Sequence, residues 1–313
     1  MDKKVSVVVG TRSAIFTPLE NIGVIIIDEE HSSNYKQENN PRYNAKDVAL
    51  WRSKYHSCPV VLGSATPSLE SMARAQKGVF TLLTLQNRIG KAKLPEITIV
   101  DMKEEYQKGN STISETLDKE IKEALNNNKQ VMLFLNRRGF NTFVTCRNCG
   151  YTYKCPNCDI TLTYHKTSNN LRCHYCGYTL LYNGICPECK EKALTSLGLG
   201  TEKLEEEIKI KYPEAKVLRM DADTTTRKGS HEKYIQMIEN GEVNIIVGTQ
   251  MISKGLDFPN VTVVGVINAD ESLNIPDFRS GEYTYSLLSQ VSGRAGRKNG
   301  DGKVILQTFN KFY

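Results

Sequence analysis

Blocks of consecutive β-branched and aliphatic residues punctuate the chain at positions 5–9, 24–27, 60–62, 131–135, 216–220, 243–247, 261–267 and 304–307. Because these blocks are mostly apolar, without a sustained polar–apolar alternation, they predict strands buried on both faces, as in a parallel sheet. Helical patterns separate them. Ile113, Leu117, Ile121 and Leu125 stripe the segment 114–126, Leu204 and Ile208 share a face in 201–212, and Leu287, Leu288 and Val291 do so in 283–291. Further helices are expected at 45–55, after Ser68 and at 231–240, with Trp51 in the core and Tyr35 and Tyr43 exposed on a loop. Residues 86–102 carry mixed charge with Gly90 and Pro95 and read as a connection between two lobes. Strand alternating with helix predicts an α/β architecture.

Composition adds little to this picture except at the cysteines. The chain has 313 residues, 24% charged and 39% hydrophobic, with a formal net charge of +6 that permits a polyanionic partner without requiring one. No apolar run is long enough to span a membrane and the Met1-Asp2-Lys3-Lys4 start is not a signal peptide, so a cytoplasmic location is expected. In that compartment the nine cysteines point to metal rather than disulfides. Eight of them form four Cys-x-x-Cys pairs: Cys146/Cys149, Cys155/Cys158, Cys173/Cys176 and Cys186/Cys189. Two intervening residues bring both thiolates to one point on a tight turn, so four pairs make two Cys₄ sites, with zinc the expected metal and iron–sulfur the rival. Which pair joins which stays open at this level. His165 and His174 are not needed as ligands. Tyr151, Tyr153, Tyr164, Tyr175, Tyr178 and Tyr182 supply mini-cores or a docking surface, and Cys58 reads as a buried apolar residue. Five cations against Asp159 and Glu188 give residues 146–190 a local excess of +3, consistent with DNA contact.

Acidic and basic clusters follow several of the strands. Asp28-Glu29-Glu30-His31 ends the block 24–27, where a carboxylate can hold Mg²⁺ on phosphates and a second can orient water; the plain alternative is an acidic loop. Gly10-Thr11-Arg12-Ser13 offers amides and a guanidinium for a phosphate. Tyr35, Tyr43 and Trp51 interleave with Lys36, Arg42, Lys46 and Arg52, a composition suited to base stacking. Ser64 and Thr66 either bond the carboxylate cluster or cap the following helix, and capping is the simpler reading. Arg294 and Arg297 lie three apart in Gln290-Val291-Ser292-Gly293-Arg294-Ala295-Gly296-Arg297, beside glycines that let a ligand approach; alone, a solvated basic helix end explains them as well. No Gly-x-x-x-x-Gly-Lys-Ser/Thr occurs anywhere in the chain.

Taken together these pieces resemble the superfamily 2 helicases. Residues 24–31 look like a Walker B or DExH box, 63–68 like the SAT motif, 248–257 like motif V and 290–297 like motif VI, and their order fits two RecA-like lobes. Two Cys₄ sites placed after Asn136-Arg137-Arg138-Gly139-Phe140 narrow the resemblance to the primosomal replication-restart helicases, over essentially the full length. The resemblance implies RecA-like lobes (parallel sheet with flanking helices) and an inserted zinc-binding cysteine-rich domain. Residues 1–90 would be the C-terminal part of lobe 1, 91–145 the connection and start of lobe 2, 146–190 the insertion, and 191–313 the rest of lobe 2. It also implies roles. Asp28 takes Mg²⁺–ATP, Glu29 acts on the attacking water, and His31 and Thr66 couple the nucleotide to the second lobe. Gly255, Asp257 and Gln290 lie near the nucleotide, and Arg294 and Arg297 match arginine fingers. Thr249 meets DNA phosphates, the segment from Tyr35 through Tyr43 to Trp51 matches an aromatic-rich loop that senses single-stranded DNA, and the Arg12 guanidinium, read from its own turn, is expected on DNA as well. Outer cysteines 146, 149, 186 and 189 would share one zinc, and inner cysteines 155, 158, 173 and 176 the other.

The family's function is ATP-dependent 3′→5′ DNA unwinding at stalled replication forks. Its implied partners are single-stranded and forked DNA, other primosome proteins and single-stranded-DNA-binding protein. The family's Walker A loop, its N-terminal DNA-binding region and its C-terminal domain have no counterpart here, so the chain is expected to be an internal portion with little or no ATP turnover. The competing expectation is a non-enzymatic, zinc-dependent module that docks on DNA or primosome proteins.

Overall fold

The computed structural model describes residues 5–85, 94–135, 143–196, 200–221, 223–225, 229–253, 258–296 and 301–311. The chain divides into two compact units, Met1–Leu85 and Gln86–Tyr313, and each is described by itself.

In the first unit, Ile25–Ile27 pairs in parallel with Val60–Leu62. Helix Ala45–His56, capped by the Asn44 side chain, and helix Leu69–Gln76, capped by Ser68, accompany this pair. A short antiparallel ladder, Lys36–Gln37 with Tyr43–Asn44, leads into the first helix. Three expectations fail in this unit. Residues 5–9 form no strand, and Val7 and Val9 are 74% and 93% exposed: β-branched residues favour a strand only where a neighbouring ladder and a core receive them. Val24 and Ile26 are likewise exposed rather than buried on both faces. Trp51 is 67% exposed, because Ala45 and Ala49 fix the buried face of its helix and Trp51, two residues on, points the opposite way. It stacks instead on Tyr55, with ring centroids 5.7 Å apart. Cys58 is buried, as expected.

The second unit is built on a six-stranded, wholly parallel sheet. Its order is Val217–Met220, Ile245–Gly248, Gln130–Phe134, Val261–Val266, Lys303–Thr308 and Glu96–Asp101. The expected strands are all present, and Glu96–Asp101 is an addition. This segment had read as connection, but it is an edge strand, where Ile97 and Ile99 stay half-exposed and charged neighbours are tolerated. Every residue of Gln130–Phe134 is buried, and alternate side chains serve opposite faces. Val131 and Leu133 meet Leu117 and Ile121 of helix Glu115–Asn126 and Leu204 and Ile208 of helix Thr201–Lys211. Met132 and Phe134 meet Ile238 of helix Ser230–Glu239 and Leu287 and Val291 of helix Ser280–Ser292. Each such fully buried aliphatic side chain contributes about 1.5–3 kcal/mol. Helix Glu115–Asn126 packs so closely that a Cβ on Gly265 would lie 2.8 Å from Leu117.

The cysteine-rich segment interrupts this unit between Gln130–Phe134 and Val217–Met220. It enters through Val144–Cys146 and returns through Leu194–Ser196, which pair antiparallel. Its far part is a three-stranded antiparallel sheet of Thr163–His165, Asn170–Arg172 and Thr179–Leu181. Val144, Tyr153, Leu162 and Leu171 form its small core, flanked by half-buried Tyr151, Tyr164, Tyr178 and Tyr182, whereas Tyr175 is exposed. Among the described residues, no helix is long and apolar enough to cross a membrane.

Candidate metal centres and nucleotide-motif residues

The four Cys-x-x-Cys pairs fold into four copies of one turn. In each, the first cysteine's carbonyl accepts a hydrogen bond from the fourth residue after it: Gly150 on Cys146, Asp159 on Cys155, Gly177 on Cys173 and Lys190 on Cys186. That residue has a positive φ, +78°, +53°, +78° and +64° in turn, which turns the chain back across its own thiolates. The turns gather two sets of four sulfurs: Cys146, Cys149, Cys186 and Cys189, and Cys155, Cys158, Cys173 and Cys176. This is the outer-with-outer, inner-with-inner nesting that the family resemblance implied.

Sulfur separations are 3.6 Å for Cys146–Cys189, 3.6 Å for Cys149–Cys186 and 3.5 Å for Cys155–Cys176. A tetrahedral ion with metal–sulfur bonds of ~2.3 Å needs edges of ~3.8 Å, so the donor set fits one closed ion per cluster. The backbone prepares the charge. The Tyr178 N–H draws the Cys176 thiol down to about 6, and the Glu191 N–H draws Cys189 to about 7. Burial and neighbouring thiols push Cys149 up to about 12, and the Cys176 sulfur followed by burial does the same for Cys158. A bound cation removes this conflict by taking all four sulfurs as thiolates.

The outer cluster is seated directly on the sheet unit. Gly150 abuts the Phe309 carbonyl, only 2.5 Å from where a Cβ would stand, and the Arg147 guanidinium lies 5.9 Å from the Tyr106 ring centre. The inner part reaches the sheet unit through Thr161, whose hydroxyl donates to Asn274 at 3.1 Å.

In the first unit, Asp28 to His31 leave the end of Ile25–Ile27 beside the turn that leaves Val60–Leu62. The Gly63 N–H donates to Ile27 and the Glu30 N–H donates back to Gly63, so the two strand ends are locked together. The Asp28 carboxylate accepts the Glu29 N–H at 2.9 Å, and Glu29 itself sits at φ +48°. His31 Nδ1 is 2.7 Å from the Ser64 hydroxyl and 3.5 Å from the Glu29 carboxylate. Ser64 also accepts the N–H of buried Thr66. Ser64 thus bonds the histidine that ends the acidic run rather than a carboxylate, and the cap expected of Ser64 or Thr66 is supplied by Ser68. Asp28, Glu29, His31 and Thr66 therefore share one end of this strand pair.

The aromatic segment is tied to the same place. The Tyr35 hydroxyl donates to the Asp28 carbonyl at 2.6 Å, and burial, then the nearby Asp28 and Glu29 charges, raises its pKa. Arg12 Nη1 donates to the carbonyls of Asn34 and Lys36 at 3.2 and 3.0 Å, so this guanidinium clasps the aromatic segment. Tyr43 meets Phe16 edge-on at 4.8 Å. Tyr35 and Tyr43 are half-buried rather than freely exposed.

Glu30 is the residue that the sequence reading left without a role. It is 1% exposed, and its carboxylate accepts from the Ser68 N–H at 2.6 Å, the Ser71 hydroxyl at 2.9 Å and Lys46 at 3.0 Å. Burial raises its pKa, but the Ser68 N–H, Lys46 and Ser71 together outweigh burial and hold it below the ordinary 4.5. Its stabilising contribution is therefore present above 4.5 and lost as acid protonates it. Substituting Glu30→Gln is expected to flatten the acid limb of the first unit's stability, measured by denaturant midpoints across pH 3–6.

In the second unit, Thr249 follows the carboxyl end of Ile245–Gly248, while Arg294 lies toward the opposite, amino ends of the strands. Helix Ser280–Ser292 runs back between two parallel strands, and the Gly296 N–H just beyond it donates to Val261 at the start of Val261–Val266. Arg294 is 9% exposed and Gln290 half-buried. The expectation that the motif's glycines admit a ligand needs correcting at Gly296. A Cβ there would lie 2.2 Å from the Gly302 nitrogen, so backbone already occupies the space. Gly255, Asp257 and Arg297, and Asn136 to Phe140, lie outside the described residues.

Two family models match the sequence: the PriA DNA helicase Cys-rich region over residues 155–180 and the helicase conserved C-terminal domain over 189–299. Replication restart protein PriA of Bacillus subtilis (strain 168) is 56% identical over 308 residues, covering 98% of this chain and 38% of that protein. The protein of the same name from Synechocystis sp. is 46% identical, covering 97% and 38%, and that of Rickettsia felis is 44% identical, covering 99% and 48%. A solved structure of RecG bound to a three-way DNA junction covers 91% of the chain and 26% of that chain at 14% identity and a TM-score of 0.44, a likeness too loose to carry argument. The chain spans between about two fifths and one half of these relatives. The nested cysteine clusters, the helicase C-terminal match and the identity along nearly its whole length make the chain similar to a segment of the PriA replication restart proteins.

Proposed function

We propose that the chain works as the core of an ATP-dependent 3′→5′ DNA helicase that restarts stalled replication forks. The observation that carries this reading is the joining of Asp28, Glu29, His31, Ser64 and Thr66 at one pair of strand ends, in a chain 56% identical to a replication restart protein. In this reading Asp28 holds Mg²⁺ on ATP, Glu29 orients the attacking water, and His31 and Thr66 pass the state of the nucleotide onward. In the helicase C-terminal domain, the nucleotide-related roles are assigned to Gly255, Asp257, Gln290, Arg294 and Arg297. Bound Mg²⁺ would screen phosphate charge; the arginines stabilise charge on the departing phosphoryl group. Tyr35, Tyr43 and Thr249 contact DNA, and Arg12 holds the aromatic segment in place for that contact. The two Cys₄ clusters each hold a zinc ion. The partners are single-stranded and forked DNA, other primosome proteins and single-stranded-DNA-binding protein, in the cytoplasm. A helicase C-terminal match over 189–299 favours this over a purely docking module.

Because the sequence has no Gly-x-x-x-x-Gly-Lys-Ser/Thr cradle for the β- and γ-phosphates, the 313-residue chain alone is expected to release little or no phosphate from ATP, with or without DNA. A DNA-stimulated phosphate-release assay beside Asp28→Ala measures this. Robust turnover that depends on Asp28 would refute the need for such a cradle.

A further inference from the structure

The carboxylate of the third residue of the acidic motif is taken up by protein donors. Glu30 is buried to 1% exposure and bonded to three segments distant in sequence. Through Oε1 it accepts the N–H of Ser68, the capping residue of helix Leu69–Gln76. Through Oε2 it accepts from the Ser68 and Ser71 hydroxyls and from Lys46, in the first turn of the helix that follows the aromatic segment. Its own N–H donates to Gly63, which opens the turn carrying Ser64 and Thr66. A buried ion pair of this kind adds little net stability over a well-packed apolar pair, so what it supplies is register: a fixed geometry among the segments it joins.

We infer that Glu30 is a positioning residue, which holds the Ser64–Thr66 turn against His31 and fastens both, through Lys46, to the helix behind the aromatic segment. Movement at Tyr35–Tyr43 then reaches the surroundings of His31 by two routes. One is the Tyr35 hydroxyl on the Asp28 carbonyl, and the other is Lys46 on Glu30. The first route ends on the backbone of the residue proposed to hold Mg²⁺; the second ends on the turn proposed to pass the state of the nucleotide onward. The inference rests on the proposed function for the identity of the signal, single-stranded DNA, but the geometric part stands without it.

The test uses ¹⁵N-labelled full chain. Glu30→Ala should speed exchange of the Ser68 amide proton by roughly tenfold or more, and Glu30→Gln, which keeps an acceptor oxygen, should restore its protection. Unchanged exchange in Glu30→Ala overturns the positioning role. Saturating oligo(dT) should shift the His31 imidazole signals in the unmodified chain. In the doubly substituted chain, Glu30→Gln with Lys46→Met, compared at oligonucleotide concentrations that saturate each protein by fluorescence anisotropy, the His31 shift should be diminished to the part carried by Tyr35. A shift of undiminished size in that variant overturns the Lys46 route. Absence of oligonucleotide binding to the unmodified chain would instead remove the DNA contact from the proposed function, and the exchange measurement would then decide the role of Glu30 alone.

Discussion

Removing metal is expected to unfold residues 146–190 while leaving the six-stranded sheet folded. The core of the insertion is Val144, Tyr153, Leu162 and Leu171 with partly buried tyrosines around it, too few apolar groups to offset the ordering of some forty-five residues. Each Cys₄ ion supplies about 10–16 kcal/mol of apparent binding energy to such a segment near neutral pH, and so dominates its stability. The dependence on acid has a definite sign. Cys149 and Cys158 hold their protons up to about 12 without metal, so metal binding displaces protons and weakens as pH falls. Chelator treatment should therefore abolish the near-ultraviolet signal of the clustered tyrosines and open the segment to protease, at a lower chelator concentration at pH 6 than at pH 8. The sheet unit keeps its own core on both faces of Gln130–Phe134 and should still melt cooperatively. An insertion that stays protease-resistant after complete metal removal would show that side-chain packing alone suffices.

Gly296→Ala is expected to cost several kcal/mol, and its neighbour Gly293→Ala almost nothing. Gly296 sits at φ +64°, where an L side chain costs about 1–2 kcal/mol. Its Cβ would also fall 2.2 Å from the Gly302 nitrogen, and displacing backbone at such a crossing adds about 1–3 kcal/mol. Gly293 ends helix Ser280–Ser292 in a right-handed conformation, and its Cβ would rest 3.4 Å from the Ser289 and Gln290 carbonyls. Alanine there should fall within about 1 kcal/mol of glycine. Urea midpoints of the two variants measure the difference. The contrast matters for interpretation, since both glycines flank Arg294: activity lost in Gly296→Ala would report an unfolded corner, not a lost ligand contact. Equal midpoints would contradict the crossing of Gly296 over Gly302.

The residues differ in how much of this could be read from sequence, and the reasons are physical. Gln130–Phe134, Ile245–Gly248 and Val261–Val266 were legible because strands buried on both faces need unbroken apolar runs, which few other structures need. Residues 5–9 have the same composition and form no strand, since pairing is a property of neighbours as well as of the segment. Glu96–Asp101 failed in the opposite direction: at a sheet edge, charge and half-exposed isoleucines are acceptable, so it passed for a linker. The cysteine spacing announced four chelating turns, but any turn could have joined any other. Only the folded hairpins bring Cys146 and Cys149 to Cys186 and Cys189. Glu30 was hidden for a similar reason. In a run of three acidic residues nothing local separates it from Asp28 and Glu29, and its partners Lys46 and Ser68 lie sixteen and thirty-eight residues away. Alternation of buried small residues could have corrected Trp51, because Ala45 and Ala49 mark the inner face of its helix.

Single-stranded DNA is proposed to bind this chain through the aromatic segment tied to Asp28. The most direct measurement is fluorescence anisotropy of a labelled oligo(dT) titrated with the chain over a range of salt concentrations, beside Tyr35→Ala and Tyr43→Ala. Saturable binding is expected, with log affinity falling against log salt by about 0.7 per phosphate contacted, and a weakening of about 1–3 kcal/mol for each tyrosine on which a base stacks. Binding that is absent at low salt, or that is indifferent to both tyrosines, would contradict it.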